Sequence, residues 1–180
     1  CNGEVIQMED KFRLDQTMKD YFRRIKRKTA LLIESSCELG ALVSGLEDRY
    51  VRNLKRYGYF VGMSFQIIDD ILDYTSDAET LGKNIGDDLM EGKPTLPLIA
   101  AMKNTSDEDF SIVRKSIATG GTDHLEQVIR IVNESGALDY CRQRATEETH
   151  AAISALNALP NSDYRQALIN LANLALHRIQ

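Results

Sequence analysis

Residues 62–74 read GMSFQIIDDILDY, a mainly apolar run that also contains one glutamine and three aspartates. Its apolar residues recur every three or four positions, at Val61, Phe65, Ile68 and Leu72. This spacing is typical of one face of an α-helix, and no glycine or proline interrupts residues 63–76. The stretch therefore predicts a long helix that is mostly buried and carries polar side chains inside the fold.

The four polar side chains of this stretch are expected to point into one wedge. Gln66 lies three residues before Asp69 and four before Asp70, and Asp73 lies four and three residues after them. Residues at these spacings share a helix face. A solvated acidic face is the plain alternative. Among apolar neighbours, however, the carboxylates would be partly buried, and burial raises their pKa and sharpens their repulsion. Magnesium is usually held by one or two carboxylates together with substrate phosphates. We therefore interpret DDxxD here as half of a magnesium–diphosphate site.

Length and composition limit the possible function classes. The chain has 180 residues, enough for one domain with a sizeable core, and 43% of them are hydrophobic. A net charge of −5 without a long basic tract argues against nucleic-acid binding as the main role. No 18-residue apolar run indicates a transmembrane segment. Three scattered cysteines suit a reducing compartment, with Cys37 and Cys141 expected to act as small packing residues.

The remaining segments also have helical spacing, so the predicted fold class is all-α, a helical bundle with a site inside it. Thr17 or Asp15 is expected to cap the second helix, Ser106 to cap a later one, and Gly136 to end another. Gly58 and Gly62, four residues apart in the long helix, would permit a close helix crossing. We expect Pro94 in the first turn of the helix that follows it.

Two basic positions stand out beside the acidic stretch. Lys28 ends the cluster RRIKRK at residues 23–28 and adjoins an apolar run, so we expect it to be the member that points inward. Residues 75–93 form a polar, glycine-containing segment in which Lys83 and Lys93 bracket two further aspartates. Segments of this length and polarity tend to be functional.

Four motifs in order resemble those of the trans-isoprenyl (polyprenyl) diphosphate synthases. Residues 65–73, FQIIDDILD, are similar to the second aspartate-rich motif of that family, and residues 28–30 to its KTA motif. The segment GEVIQ at residues 3–7, and GK at 82–83 with GDD at 86–88 and GKPTLP at 92–97, resemble the flanking segments. The likeness is strong as far as about Ala101, and its character is that of bacterial long-chain enzymes such as the larger component of heptaprenyl diphosphate synthase.

The resemblance implies the isoprenoid synthase fold and prenyltransferase chain elongation. An allylic diphosphate would condense with isopentenyl diphosphate to give a long-chain trans-polyprenyl diphosphate, for example for a quinone side chain. It also assigns roles to site residues. Asp69, Asp70 and Asp73 would hold Mg²⁺, and Lys28, Gln66 and Lys83 would act in catalysis. Substrate would be bound by Lys28, Thr29, Gln66, Lys83 and Lys93.

One departure from the family pattern concerns the number of aspartate-rich motifs. These synthases carry two, and no second DDxxD precedes Lys28. Residues 1–180 are therefore expected to be the C-terminal portion of a single synthase domain, with the first motif and most isopentenyl diphosphate contacts before Cys1. Taken alone, this portion is expected to be inactive.

Three other functions stay open at this point. A class I terpene cyclase also uses an aspartate-rich magnesium site, although KTA at residues 28–30 argues against it. The chain could also be a non-catalytic subunit of a prenyl synthase, or a plain helical interaction module. A homodimer, or a heterodimer with a smaller subunit, is expected. The predicted location is cytoplasmic, either free or associated with membranes through the lipid product.

Overall fold

The computed structural model describes residues 2–75 and 86–179, and the regular structure in these two ranges is helical throughout. A π-helical turn spans Lys26–Ala30, and a 3₁₀ turn spans Leu156–Ala158. The α-helices are, in chain order, α1 (Asn2–Glu9), α2 (Met18–Ile25), α3 (Leu31–Val43), α4 (Asp48–Thr75), α5 (Asp87–Met90), α6 (Leu96–Ala101), α7 (Asp107–Thr119), α8 (Leu125–Glu134), α9 (Ala137–Ala155) and α10 (Asp163–His177). The prediction of an all-α fold is confirmed.

Helix α4, which carries the acidic stretch, lies at the centre of the bundle. It packs lengthwise against α3 on one side and α9 on the other. Ile67, Ile68 and Ile71 are fully buried on it, as their helical spacing predicts. At its middle, Ser64 contacts α9 through hydrogen bonds to the Ala145 carbonyl (3.1 Å) and the Thr149 hydroxyl (2.7 Å). The polar end of α4 is thereby held in register with its neighbours.

The two glycines of α4 allow the close helix crossing that their spacing predicts. A Cβ atom added at Gly62 would lie 2.5 Å from the Cα atom of Ala30, and one at Gly58 would lie 2.7 Å from the carbonyl oxygen of Ile33. No real side chain fits in such gaps. The backbone of the segment that holds the KTA sequence therefore lies directly against α4.

Helix ends largely follow the predicted signals. Thr17 caps α2 in a reciprocal capping box with Asp20, Ser106 caps α7, and Gly136, at a φ of 74°, separates α8 from α9. The expectation for Pro94 was wrong. Because Thr95 is the extended N-cap residue of α6, the helix begins after Pro94, and Pro97 occupies its first turn instead.

No helix in residues 2–75 or 86–179 combines the length and apolarity that a membrane crossing requires. The thiol of Cys141 is fully buried in the core and that of Cys37 is half-buried, in keeping with packing roles.

Candidate active site

A cavity of about 190 Å³ lies where α2, the π-helical turn, α4 and the segment before α6 meet. Acidic, basic and amide side chains dominate its wall, which consists of Gln7, Tyr21, Arg24, Ile25, Lys28, Gln66, Asp69, Asp70, Asp88, Lys93 and Thr95. Five residues predicted from the sequence to form the site are in this set: Lys28, Gln66, Asp69, Asp70 and Lys93. The structure therefore brings the acidic stretch and two of the predicted lysines to one place.

Asp70 is the most deeply buried acidic residue of the cavity wall, at 3% exposure. Its Oδ2 accepts a hydrogen bond from the Tyr21 hydroxyl (2.7 Å), and its Oδ1 accepts one from Nε2 of Gln66 (2.9 Å). The Thr29 hydroxyl donates to Oε1 of Gln66 (2.7 Å), which orients the amide. A chain of hydrogen bonds thus links the KTA segment to the acidic helix, and both oxygens of Asp70 are fixed.

Burial and mutual repulsion dominate the electrostatics of the acidic group. Burial, followed by the nearby charge of Asp88, raises the pKa of Asp70 to about 7, although the hydrogen bonds from Tyr21 and Gln66 oppose the shift. The same two causes raise the pKa of Asp73 to about 7. Too little positive charge therefore lies near these carboxylates to offset their burial and mutual repulsion.

Asp73, the last aspartate of the predicted wedge, lies beside the cavity. It does not line the cavity, and its Oδ2 accepts a hydrogen bond from the backbone N–H of Asp88 (3.3 Å). Its own carbonyl accepts a bond from the N–H of Gly86 (2.9 Å). Asp73 thus anchors the chain where it returns to the site at residues 86–88. It lies next to the cavity through Asp88, which lines the wall.

The lysines approach the cavity from two sides. Lys28 lies in the π-helical turn, half-buried, and faces the cavity as predicted. Single π-helical turns often occur at functional sites. On the other side, Nζ of Lys93 contacts Asp88 (3.1 Å) and Glu91 (3.2 Å). Burial acts to lower the pKa of Lys93, but these carboxylates outweigh it and raise the pKa. Lys83 lies outside the described residues.

Six residues of this wall were not predicted as site residues: Gln7, Tyr21, Arg24, Ile25, Asp88 and Thr95. Arg24, at 4% exposure, is the most deeply buried member of the basic cluster, whereas only Lys28 was expected to point inward. The hydroxyl of Tyr21, on the same helix as Arg24, is the hydrogen-bond partner of Asp70. Asp88 was seen as part of a pair without an assigned role. The helical spacing of Tyr21, Arg24 and Lys28 at intervals of three and four residues was the available signal.

The donor atoms that line this cavity indicate whether it suits a metal ion. Within residues 2–75 and 86–179, no three histidine, cysteine or carboxylate side chains are grouped tightly enough to hold a metal ion. The donors nevertheless suit magnesium, because Asp69, Asp70 and Asp88 offer carboxylate oxygens to one cavity and phosphate oxygens would complete the set. A cation would also relieve the repulsion around Asp70. Asp69, Asp70 and Asp73 as metal ligands stay a prediction.

Comparisons with known proteins agree with this architecture. Residues 1–134 match the family model described as polyprenyl synthetase. All 180 residues align, at 60% identity, with 55% of the all-trans-nonaprenyl-diphosphate synthase (geranyl-diphosphate specific) of Rhodobacter capsulatus. Over 172 residues, 96% of the chain, identity is 41% with 49% of the heptaprenyl diphosphate synthase component 2 of Bacillus subtilis. The chain thus spans about half the length of the curated relatives it matches.

The fold is shared with solved structures of such proteins. The crystal structure of a polyprenyl synthase from Caulobacter crescentus, complexed with calcium and isoprenyl diphosphate, superposes with a TM-score of 0.93 at 35% identity. The superposition covers 99% of this chain and 55% of that one. The predicted isoprenoid synthase fold is confirmed. Because the family model covers most of its length and the fold is the same, this chain belongs to the polyprenyl synthetase family.

Proposed function

We propose that this chain carries the diphosphate-binding wall of a trans-polyprenyl diphosphate synthase. The reaction is chain elongation, in which an allylic diphosphate condenses with isopentenyl diphosphate to give a long-chain polyprenyl diphosphate. One observation carries the proposal: Asp69 and the buried Asp70 of α4 line one cavity together with Lys28 and Lys93 from two other segments. Such a wall suits a ligand that is a multiply charged anion accompanied by a cation.

Asp69 and Asp70, with Asp73 and Asp88 beside them, would hold magnesium in this cavity. Bound magnesium would neutralise charge on the diphosphate as it departs from the allylic carbon. The protein groups keep these carboxylates in position. Tyr21 and Gln66 fix the oxygens of Asp70.

The lysines and the amide have separate tasks in this proposal. Lys28 and Lys93, and by prediction Lys83, bind diphosphate oxygens and stabilise the leaving group as its charge grows. Gln66, held by Thr29, sits between the lysine side and the acidic side of the cavity and orients the bound group. Leu32 and Phe65 are exposed apolar side chains that lie close in sequence to Lys28 and Gln66. They would shield the growing hydrocarbon chain and the allylic cation from water.

Residues 1–180 are proposed to be the C-terminal portion of one synthase domain, in agreement with relatives about twice as long. The test is a chimera in which residues 1–180 replace the matching segment of the Rhodobacter relative. Radiolabelled isopentenyl diphosphate is supplied with geranyl diphosphate and magnesium. We expect labelled polyprenyl product from the chimera and none from residues 1–180 tested by themselves.

Asp69→Asn in the chimera should lower turnover by roughly 10²-fold or more, the scale of losing a key electrostatic group. The exposed Asp139→Asn is the matched control, with a side chain that is 85% exposed and remote in sequence from the cavity residues. Equal turnover in both variants would contradict the assignment. A terpene cyclase would leave isopentenyl diphosphate unconsumed, and a non-catalytic subunit or interaction module would give no magnesium-dependent turnover.

Assembly and location are part of the same proposal. A homodimer, or a heterodimer with a smaller subunit, is supported by the likeness to heptaprenyl diphosphate synthase component 2, whose name implies a second component. Light scattering on the chimera, with and without a candidate partner, tests it. We propose a cytoplasmic location, with its lipid product as the link to membranes.

A further inference from the structure

Arg24 makes three contacts that reach across the fold, although it lies in a basic cluster of α2. Its Nη2 donates to the carbonyl oxygen of Pro94 (2.6 Å). Its Nη1 donates to Oδ2 of Asp10 (3.2 Å) and contacts Oε1 of Gln16 (3.4 Å). The guanidinium is only 4% exposed and is hydrogen-bonded on two sides, so a specific conformation of residues 10–16 and of Pro94 is fixed.

A second set of contacts joins the same two segments. The backbone N–H of Phe12, a residue with a φ of 61°, donates to the carbonyl of Gly92 (2.7 Å). The Phe12 ring lies so close to Gly92 that a Cβ atom there would be 2.3 Å from it. On the surface, Lys11 pairs with Glu91 (3.1 Å). Residues 91–94 are therefore clamped by residues 11–12 and by Arg24, which is the buried part of the clamp and also lines the cavity.

The clamped segment carries two cavity residues. Lys93 and Thr95 stand directly before and after Pro94, and both line the cavity. The carbonyl that Arg24 holds thus lies on the backbone between them. A displaced Pro94 would move the ammonium of Lys93 relative to Asp88 and to any anion in the cavity. A loss of position of about 1 Å is enough to weaken such a site strongly.

We propose that Arg24 is a positioning residue that sets Lys93 for binding the diphosphate group. This inference rests on the proposed function, since it assumes a diphosphate in the cavity. An arginine suits the role because its planar guanidinium can bond an acid and a backbone carbonyl in fixed directions at once, which a lysine ammonium does less well. Arg23, its neighbour on α2, is exposed and pairs with Asp20 on the same helix (3.4 Å).

The experiment is a double-mutant cycle on residues 1–180, with magnesium pyrophosphate as the probe and calorimetry as the readout. Arg24→Met and Lys93→Met are made singly and together, with Arg23→Met as the matched control. Because Arg24→Met leaves the buried Asp10 with only Arg13 as an ion-pair partner (3.3 Å), the cycle is repeated with Asp10→Asn/Arg24→Met, which removes both buried charges. Arg24→Lys tests rescue, and urea unfolding gives the folded fraction for each variant.

We expect Arg24→Met to weaken pyrophosphate binding by roughly 10-fold or more, the scale of one hydrogen bond to a charged group, and Arg23→Met to leave it within about twofold. Lys93→Met should weaken pyrophosphate binding much less in the Arg24→Met background than in the parent, because a lysine that is no longer held in position contributes little to binding. Arg24→Lys should recover part of the affinity.

Additive effects of Arg24→Met and Lys93→Met on pyrophosphate affinity would overturn the inference while leaving the proposed function intact. So would an unchanged affinity in both Arg24→Met and Asp10→Asn/Arg24→Met. Absence of pyrophosphate binding by the parent chain would overturn both. A merely structural role for Arg24 would lower the folded fraction without changing the effect of Lys93→Met in the molecules that remain folded.

Discussion

The raised pKa of Asp70 makes a quantitative prediction about the metal-free chain. Burial and Asp88 raise this pKa to about 7, well above that of an aspartate in an unfolded chain. Between these two values the folded state binds more protons than the unfolded state, so the free energy of unfolding must fall as the pH rises. The contribution of Asp70 is fully present below the unfolded pKa and is lost as the pH passes through 7.

The size of the effect follows from the same linkage. A single group with these two pKa values loses about 2 kcal/mol of unfolding free energy between pH 5 and pH 7. Asp73, with its pKa also raised to about 7, adds to the fall in the same direction. Carboxylates with lowered pKa values, such as Asp15 and Asp20, act at lower pH and in the opposite sense.

Asp70→Asn isolates the contribution, because asparagine cannot titrate yet can keep the hydrogen bonds. Its Oδ1 can accept from the Tyr21 hydroxyl. If the Gln66 amide turns over, Gln66 can accept from the new Nδ2 and donate to the Thr29 hydroxyl, which can also accept. The substitution should therefore stabilise the metal-free chain at pH 8 and flatten its pH profile.

The assay is urea unfolding in EDTA at half-unit steps from pH 5 to pH 8, on the parent, Asp70→Asn and Asp139→Asn. The control removes one exposed carboxylate and should keep the parent profile. A parent profile that rises steadily over this range would refute the reasoning. So would an Asp70→Asn profile parallel to that of the parent, since the buried carboxylate would then carry no excess charge cost.

Two further predictions concern the folded chain itself. Thr17→Ala removes the capping box with Asp20 and should cost about 1 kcal/mol in urea unfolding at pH 7. That cost should shrink in acid, because the bonds from Thr17 lower the pKa of Asp20 and their benefit is lost as the pH falls through it. Gly62→Ala should cost about 1–3 kcal/mol, because its Cβ would meet Ala30, whereas Gly40→Ala has open space and should stabilise its helix by about 0.5–1 kcal/mol. Equal effects of the two glycine substitutions would contradict the close crossing.

The sequence by itself determined the helices and the side chains that share a face along each one. Apolar spacing located α4, and capping residues such as Thr17 and Ser106 located helix starts within a residue or two. The same spacing predicted that Gln66, Asp69, Asp70 and Asp73 would point into one wedge. The first three line the cavity, and Asp73 does not. These features depend on the geometry of a single helix and on contacts between residues three or four apart. Local sequence therefore contains the information needed.

The tertiary structure decided which polar groups are buried and what they contact. The sequence predicted that Lys28 would be the member of the basic cluster at residues 23–28 to point inward, yet Arg24 is the more deeply buried. Arg24 is buried because Asp10, Gln16 and Pro94, from 8 to 70 residues away, provide acceptors for its guanidinium.

The acidic helix shows the same division. Asp70 and Asp73 lie three residues apart, a spacing that places both on one helix face. Yet the Tyr21 hydroxyl donates to Asp70, whereas the backbone N–H of Asp88 donates to Asp73. A helical repeat gives the angle between two side chains on one helix. It contains no information on which distant segment will fill the space in front of them, and that space sets the burial, the hydrogen bonds and the pKa of each carboxylate.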